Sequence, residues 1–123
     1  MLPPPAARWR EAAAAAPHTH SRQTLDAARV LGLEVARARR ERRWTVAALA
    51  ERAGISPVTL RKVEKGDPTV ALGTAFEVAT LLGIHLFGAD RDQLSALIDR
   101  GRDRLALLPA RVREPAEGVH DDF

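Results

Sequence analysis

The sequence predicts an all-α protein: a compact bundle of five helices with a flexible N-terminal arm and a C-terminal tail. Three observations lead there. The 123 residues are 46% hydrophobic but only 4% aromatic, and Ala and Leu carry much of the apolar share, which favours helix packed on helix. Apolar residues recur at three- and four-residue spacings through most of 24–105, the period of a helix face and not of a strand. Good N-caps and Gly or Pro stops punctuate those stretches, and the length suits one small domain with tails.

Residues 1–20 hold three consecutive prolines and a five-alanine run without a sustained apolar stripe, the pattern of a flexible arm with at most a transient helix near 6–16. His18 and His20 form a His-x-His pair. Such a pair can touch a metal, but no third ligand stands nearby, so a solvated arm accounts for them and no metal is assigned. The domain is expected over 21–88. Between Thr24 and Arg42, Ala28, Leu31, Val35 and Ala38 fall at 0, +3, +7 and +10, which places them on one face of a first helix with the arginines on the other. Thr45 is a good N-cap for a short second helix, in which Val46, Leu49, Ala50 and Ala53 face inward and Gly54 provides the left-handed stop.

Ser56 then caps a third helix with Pro57 at its first position, where the missing N–H costs nothing. Leu60 and Val63 are expected inward with Ile55, leaving Pro57, Val58, Arg61, Lys62 and Lys65 outward until Gly66. After an Asp67-Pro68 turn, the spacing predicts a fourth helix from Thr69 to Gly83, its core face made by Leu72, Ala75, Phe76, Ala79 and Leu82. Residues 84–88 are a short apolar connection, in which His85 is structural or solvent-facing. Asp90 caps an additional amphipathic helix, assigned to 89–108, with a stripe of Leu94, Leu97, Ile98, Gly101 and Leu105 closed by Pro109. Residues 109–123 show no periodic apolar face and are expected to form an exposed tail.

Charge divides the chain. Residues 21–65 contain eleven basic and five acidic side chains, whereas 66–123 contain six and ten. A basic half beside an acidic one suggests a polyanion-binding surface next to a surface for another partner, or simply two differently solvated faces. The absence of Cys removes disulfides, thiolate metal sites and Cys nucleophiles. With four His, no Tyr and no Gly-rich phosphate loop, there is little from which to build an enzyme site. Ser21, Ser56 and Ser95 read as arm, cap and helix surface, and no cofactor is implied. No apolar run approaches the roughly 20 residues needed to span a bilayer, and the N-terminus lacks a Leu-rich secretory core, so the expected location is cytoplasmic, on the nucleoid.

Two short helices joined by a Gly-containing turn, the second capped by Ser and loaded with outward basic residues, have the form of a helix-turn-helix. In that geometry the second helix enters the DNA major groove N-terminus first, which assigns base reading to Pro57, Val58, Arg61 and Lys62. Arg43, Thr45, Ser56, Thr59 and Lys65 are placed for phosphates, which set register but carry no sequence information. A plain helical hairpin with a solvated basic face is the competing account.

The stretch 31–88, with its RRxRxWT, LAERAGIS, TLRKVEKGDPTV and LLGI segments, closely resembles the Xre-type, phage-repressor-like helix-turn-helix domain. The resemblance implies a five-helix bundle that binds an inverted-repeat operator as a homodimer. One position departs: Val46 stands where that family often has a phosphate-contacting Gln, and the Arg39–Arg43 cluster is expected to compensate. The extra helix and the tail LPARVREPAEGVHDDF are similar to those of HipB-like antitoxins, which also bind a HipA-type serine/threonine kinase toxin. By that resemblance Arg111, Arg113, Asp121, Asp122 and Phe123 would meet the toxin; a solubilising tail is the alternative. A stand-alone regulator without a toxin, and an adaptor that uses only its apolar C-terminal stripe, are the competing functions.

Overall fold

The computed structural model describes residues 19–113, in which five α-helices and one 3-10 turn are connected without any strand. They are α1 (Arg22–Glu41), α2 (Val46–Ala53), α3 (Pro57–Glu64), α4 (Leu72–Leu81), the 3-10 turn Leu86–Gly88, and α5 (Arg91–Ala106). The expected all-α fold is the one observed. The chain divides into two units after Ile84.

In the first unit α3 packs on both α1 and α2, and α2 packs on α4. Their shared core is Val35 and Ala38 of α1, Leu49 and Ala50 of α2, Leu60 and Val63 of α3, Val78 of α4, and Leu82 just beyond it. Leu49, Leu60, Val35 and Val78 are completely enclosed, each contributing about 1.5–3 kcal/mol relative to an exposed side chain. Thr45 and Ser56 cap α2 and α3 as the sequence predicts, their side chains accepting the Ala48 and Thr59 amides at 3.0 and 3.1 Å. Between these helices Gly54 adopts φ 69°. Its amide donates to Glu51 O and that of Ile55 to Ala50 O, so the last carbonyls of α2 are satisfied while the chain reverses into α3.

Four expectations are corrected. First, α1 begins at Arg22, because Ser21, read as part of the arm, is its N-cap and accepts the Thr24 amide at 3.2 Å. Second, the arginines of α1 do not all face solvent. Arg39 is 9% exposed, since it lies four residues after Val35 on the same inward face.

Third, α4 starts at Leu72 and not at Thr69. The Thr69 amide and hydroxyl donate to Asp67 Oδ1 at 2.8 and 2.6 Å, and this local side-chain bonding holds the segment in a turn. With the helix starting later, Leu72 at its first position is 68% exposed. Of the other expected core residues Ala79 and Leu82 are buried and Ala75 and Phe76 half-buried, and Val78 joins them.

Fourth, in the second unit α5 has the expected Asp90 cap, reinforced by a reciprocal Gln93 bond to the Asp90 amide. Yet the helix ends at Ala106, before Pro109, and no residue of it is fully buried; of the expected stripe Leu94 is half-buried and Leu97, Ile98 and Leu105 are exposed.

Candidate nucleic-acid interface

The base-reading candidates share one short helix. Pro57 occupies the first turn of α3 behind the Ser56 cap, and Pro57, Val58, Arg61 and Lys62 are all exposed. Val58 is 58% exposed, which makes it a surface apolar group of the kind that can meet a thymine methyl. Leu60 and Val63, on the opposite face, anchor the helix in the core.

The C-terminal end of α3 is held against α1 by two contacts. Arg39 Nε and Nη2 donate to the two carboxylate oxygens of Glu64 at 2.6 and 3.0 Å, and Nη1 donates to the Trp44 carbonyl at 2.9 Å. The hydrogen bond to Glu64 raises the Arg39 pKa above its ordinary value and outweighs the opposing effect of burial. The second contact is steric. A Cβ on Gly32 would lie 2.5 Å from the Val63 carbonyl oxygen and 2.6 Å from that of Glu64, so the absence of a side chain there lets α1 and α3 approach backbone to backbone. The helix that presents the outward residues is thereby fixed at its far end.

The phosphate candidates fall into two groups. Thr45 and Ser56 lie at the starts of α2 and α3, where first-turn amides without intrahelical partners favour anions. Thr59 is half-buried and its hydroxyl is bonded to Ser56 Oγ at 3.0 Å, so the two hydroxyls act as one polar unit. Arg43 and Lys65 are exposed at the ends of α1 and α3. Arg43 adopts φ 57°, a left-handed conformation that costs a non-glycine residue about 1–2 kcal/mol.

The Arg39–Arg43 cluster does not act as a unit. Arg39 is bound to Glu64, and Arg42 donates to the Ala38 and Leu82 carbonyls at 3.1 and 2.8 Å, closing the end of α1 onto the end of α4. Within the cluster, Arg40 and Arg43 are the arginines left outward with no ion pair among the described residues. Trp44 has no role in the sequence reading, yet Arg52 lies over its ring at 4.3 Å and Arg42 at 5.7 Å from the centroid, an arrangement that braces the turn between α1 and α2.

Arg37 of α1 is neutralised locally by Glu34 at 2.7 Å and Glu41 at 3.0 Å. The Glu34 hydrogen bond is the larger cause of its raised pKa. Of the toxin-contact candidates, Arg111 and Arg113 are exposed beyond α5, while Asp121, Asp122 and Phe123 lie outside the described residues. His18 does too; His20 is half-buried just before α1, and His85 is exposed. No group of three potential metal ligands occurs among the described residues, and no helix among them is long and apolar enough to cross a membrane.

Two successive capped helices, a glycine turn and an anchored second helix with an outward basic face define a helix-turn-helix fold. Residues 35–88 match the helix-turn-helix family model, and the chain thus carries an Xre-type helix-turn-helix domain, a module of DNA-binding regulators. Searches of curated proteins and of solved structures returned no match.

Proposed function

We propose that this chain is a sequence-specific DNA-binding antitoxin that, as a homodimer, represses its own operon and neutralises a HipA-type serine/threonine kinase toxin. The observation that carries the DNA part is α3, capped by Ser56, locked to α1 through Glu64 and presenting Pro57, Val58, Arg61 and Lys62 outward. Paired α3 helices of a dimer would read half-sites about one helical turn apart. The toxin part is supported by the resemblance of α5 and the tail to HipB-like antitoxins, and by the exposed Leu97, Ile98 and Leu105 on α5, which suit a protein partner.

The test has two arms. Binding to promoter DNA, followed by fluorescence anisotropy, should weaken steeply with added salt as counterions are retained on the duplex; salt-insensitive or absent binding counts against the regulator. Affinity purification from native cells, with the chain intact and truncated after Pro109, should retain a kinase with the intact chain. Loss on truncation locates the contact in 110–123, and retention by both moves it to the remainder of the chain.

A second reading, a stand-alone regulator without a toxin, is favoured by one observation: the family match ends at residue 88, short of the segments that carry the antitoxin resemblance. No kinase in either sample would make it the better account.

A further inference from the structure

We propose that the groove between α1 and α3 is a docking site for an acidic segment of a partner protein, and that its occupant competes with DNA for Arg61 and Lys65. The competition rests on the DNA-binding reading; the docking does not. The groove is open to solvent, with a volume of about 860 Å³, and is walled by Leu33, Ala36, Arg37 and Arg40 of α1 and by Arg61 and Lys65 from the α3 side.

Its charges are unevenly matched. Three carboxylates border the groove, and each is already bound within the protein: Glu34 and Glu41 by Arg37, and Glu64 by Arg39. Arg40, Arg61 and Lys65 are exposed and make no ion pair among the described residues. Arg37 shared between two carboxylates leaves one excess negative charge against these three cations, so the groove is positive overall.

The apolar part of the wall decides which anion fits. Leu33 is 68% exposed and stands beside Ala36 in the groove. The phosphates of a duplex can meet the cations but carry no apolar side chain to lie over that leucine, which stands in the groove beside the charges. An extended acidic peptide with an apolar pair at its centre satisfies both features, its carboxylates on the cations and an apolar side chain over Leu33 and Ala36. Arg61 is both an outward residue of α3 and part of this wall, so an occupant that holds its guanidinium removes it from the DNA-reading set.

The probe is a labelled peptide of alternating Asp and Glu around a central Leu-Phe, compared with one of equal charge carrying Gly-Gly at the centre. Titrated into the full chain, the first should saturate and shift amide resonances confined to 33–41 and 61–65. Affinity should fall about tenfold in Arg40→Glu and severalfold in Leu33→Ser, both exposed positions whose helicity circular dichroism can verify. The peptide should displace promoter DNA from the wild type and fail to do so from Leu33→Ser, which retains its DNA affinity. Equal binding of the Gly-Gly peptide, shifts elsewhere, or unchanged affinity in both variants overturns the docking site. A loss of DNA affinity in Leu33→Ser would make the groove a nucleic-acid contact instead. Absence of specific DNA binding would remove the regulator reading and the competition, while the peptide titration still decides the docking.

Discussion

Arg39 and Glu64 join α1 to α3 through a two-pronged ion pair, with Nε and Nη2 on the two carboxylate oxygens at 2.6 and 3.0 Å. Both side chains are nearly enclosed, at 10% and 12% exposure, so loss of either partner leaves a poorly solvated charge. Arg39→Ala or Glu64→Ala should each cost about 3 kcal/mol in urea unfolding, and the double change Arg39→Met with Glu64→Leu should recover much of it. A single-variant loss below about 1 kcal/mol would place the pair among surface bridges.

Arg43 occupies a conformation that glycine adopts freely. Its amide donates to Arg40 O and that of Trp44 to Arg39 O, the same closing pattern as at Gly54, with an arginine in the left-handed place. Arg43→Gly should therefore stabilise the fold by about 1 kcal/mol while weakening binding to operator and random DNA alike. Arg43→Ala removes the same charge and keeps the strain. Thermal unfolding and anisotropy on both variants separate the two effects.

The two helical glycines of α1 and α5 should respond oppositely to a methyl group. Gly32→Ala forces a Cβ onto the Val63 and Glu64 carbonyls and should cost about 1–3 kcal/mol. Gly101→Ala has open space within 4 Å and should raise the helicity of α5, gaining about 1 kcal/mol of helix propensity. Circular dichroism through an unfolding titration reads both.

Asp67 links pH to stability. Hydrogen bonds from the Thr69 hydroxyl and amide hold its carboxyl below the usual carboxylate value. Because the folded pKa is depressed, the stabilisation is fully present above the unfolded value near about pH 4. It is lost as pH falls through the folded value. The stability difference between wild type and Asp67→Asn should accordingly shrink on acidification; a constant difference would show that the charged form gives no advantage.

Arg61→Ala or Lys62→Ala should each reduce discrimination between operator and random DNA by about 1–3 kcal/mol if that side chain reads a base. Equal losses on both DNAs would reassign that residue to the backbone.

The turn and its two helices were legible in sequence because their signals are local: Thr45, Ser56, Pro57 and Gly54 act through bonds to their near neighbours. The burial of Arg39 is hidden in the sequence because an arginine beside Arg40, Arg42 and Arg43 looks like surface charge, and its partner Glu64 lies 25 residues away. Periodicity nevertheless held the clue, since 35, 38, 39 and 42 share one face. The start of α4 is hidden for another reason: Asp67 and Thr69 form a local turn that competes with the helical pattern and leaves Leu72 exposed, while Ala79 and Leu82 are buried as expected. The groove between α1 and α3 requires the approach allowed by Gly32, a tertiary fact that no single segment encodes.

The capping box of α5 has a thermodynamic consequence. A helix of 16 residues with no fully buried side chain is near the length at which isolated helices are marginal in water, so much of its order depends on its ends and on propensity. Hydrogen exchange should divide accordingly, with slow amides around Leu49 and Leu60 and fast ones along Arg91–Ala106. Whatever binds the exposed leucines of α5 will also set how long that helix persists between openings, so occupancy there becomes readable as amide lifetime.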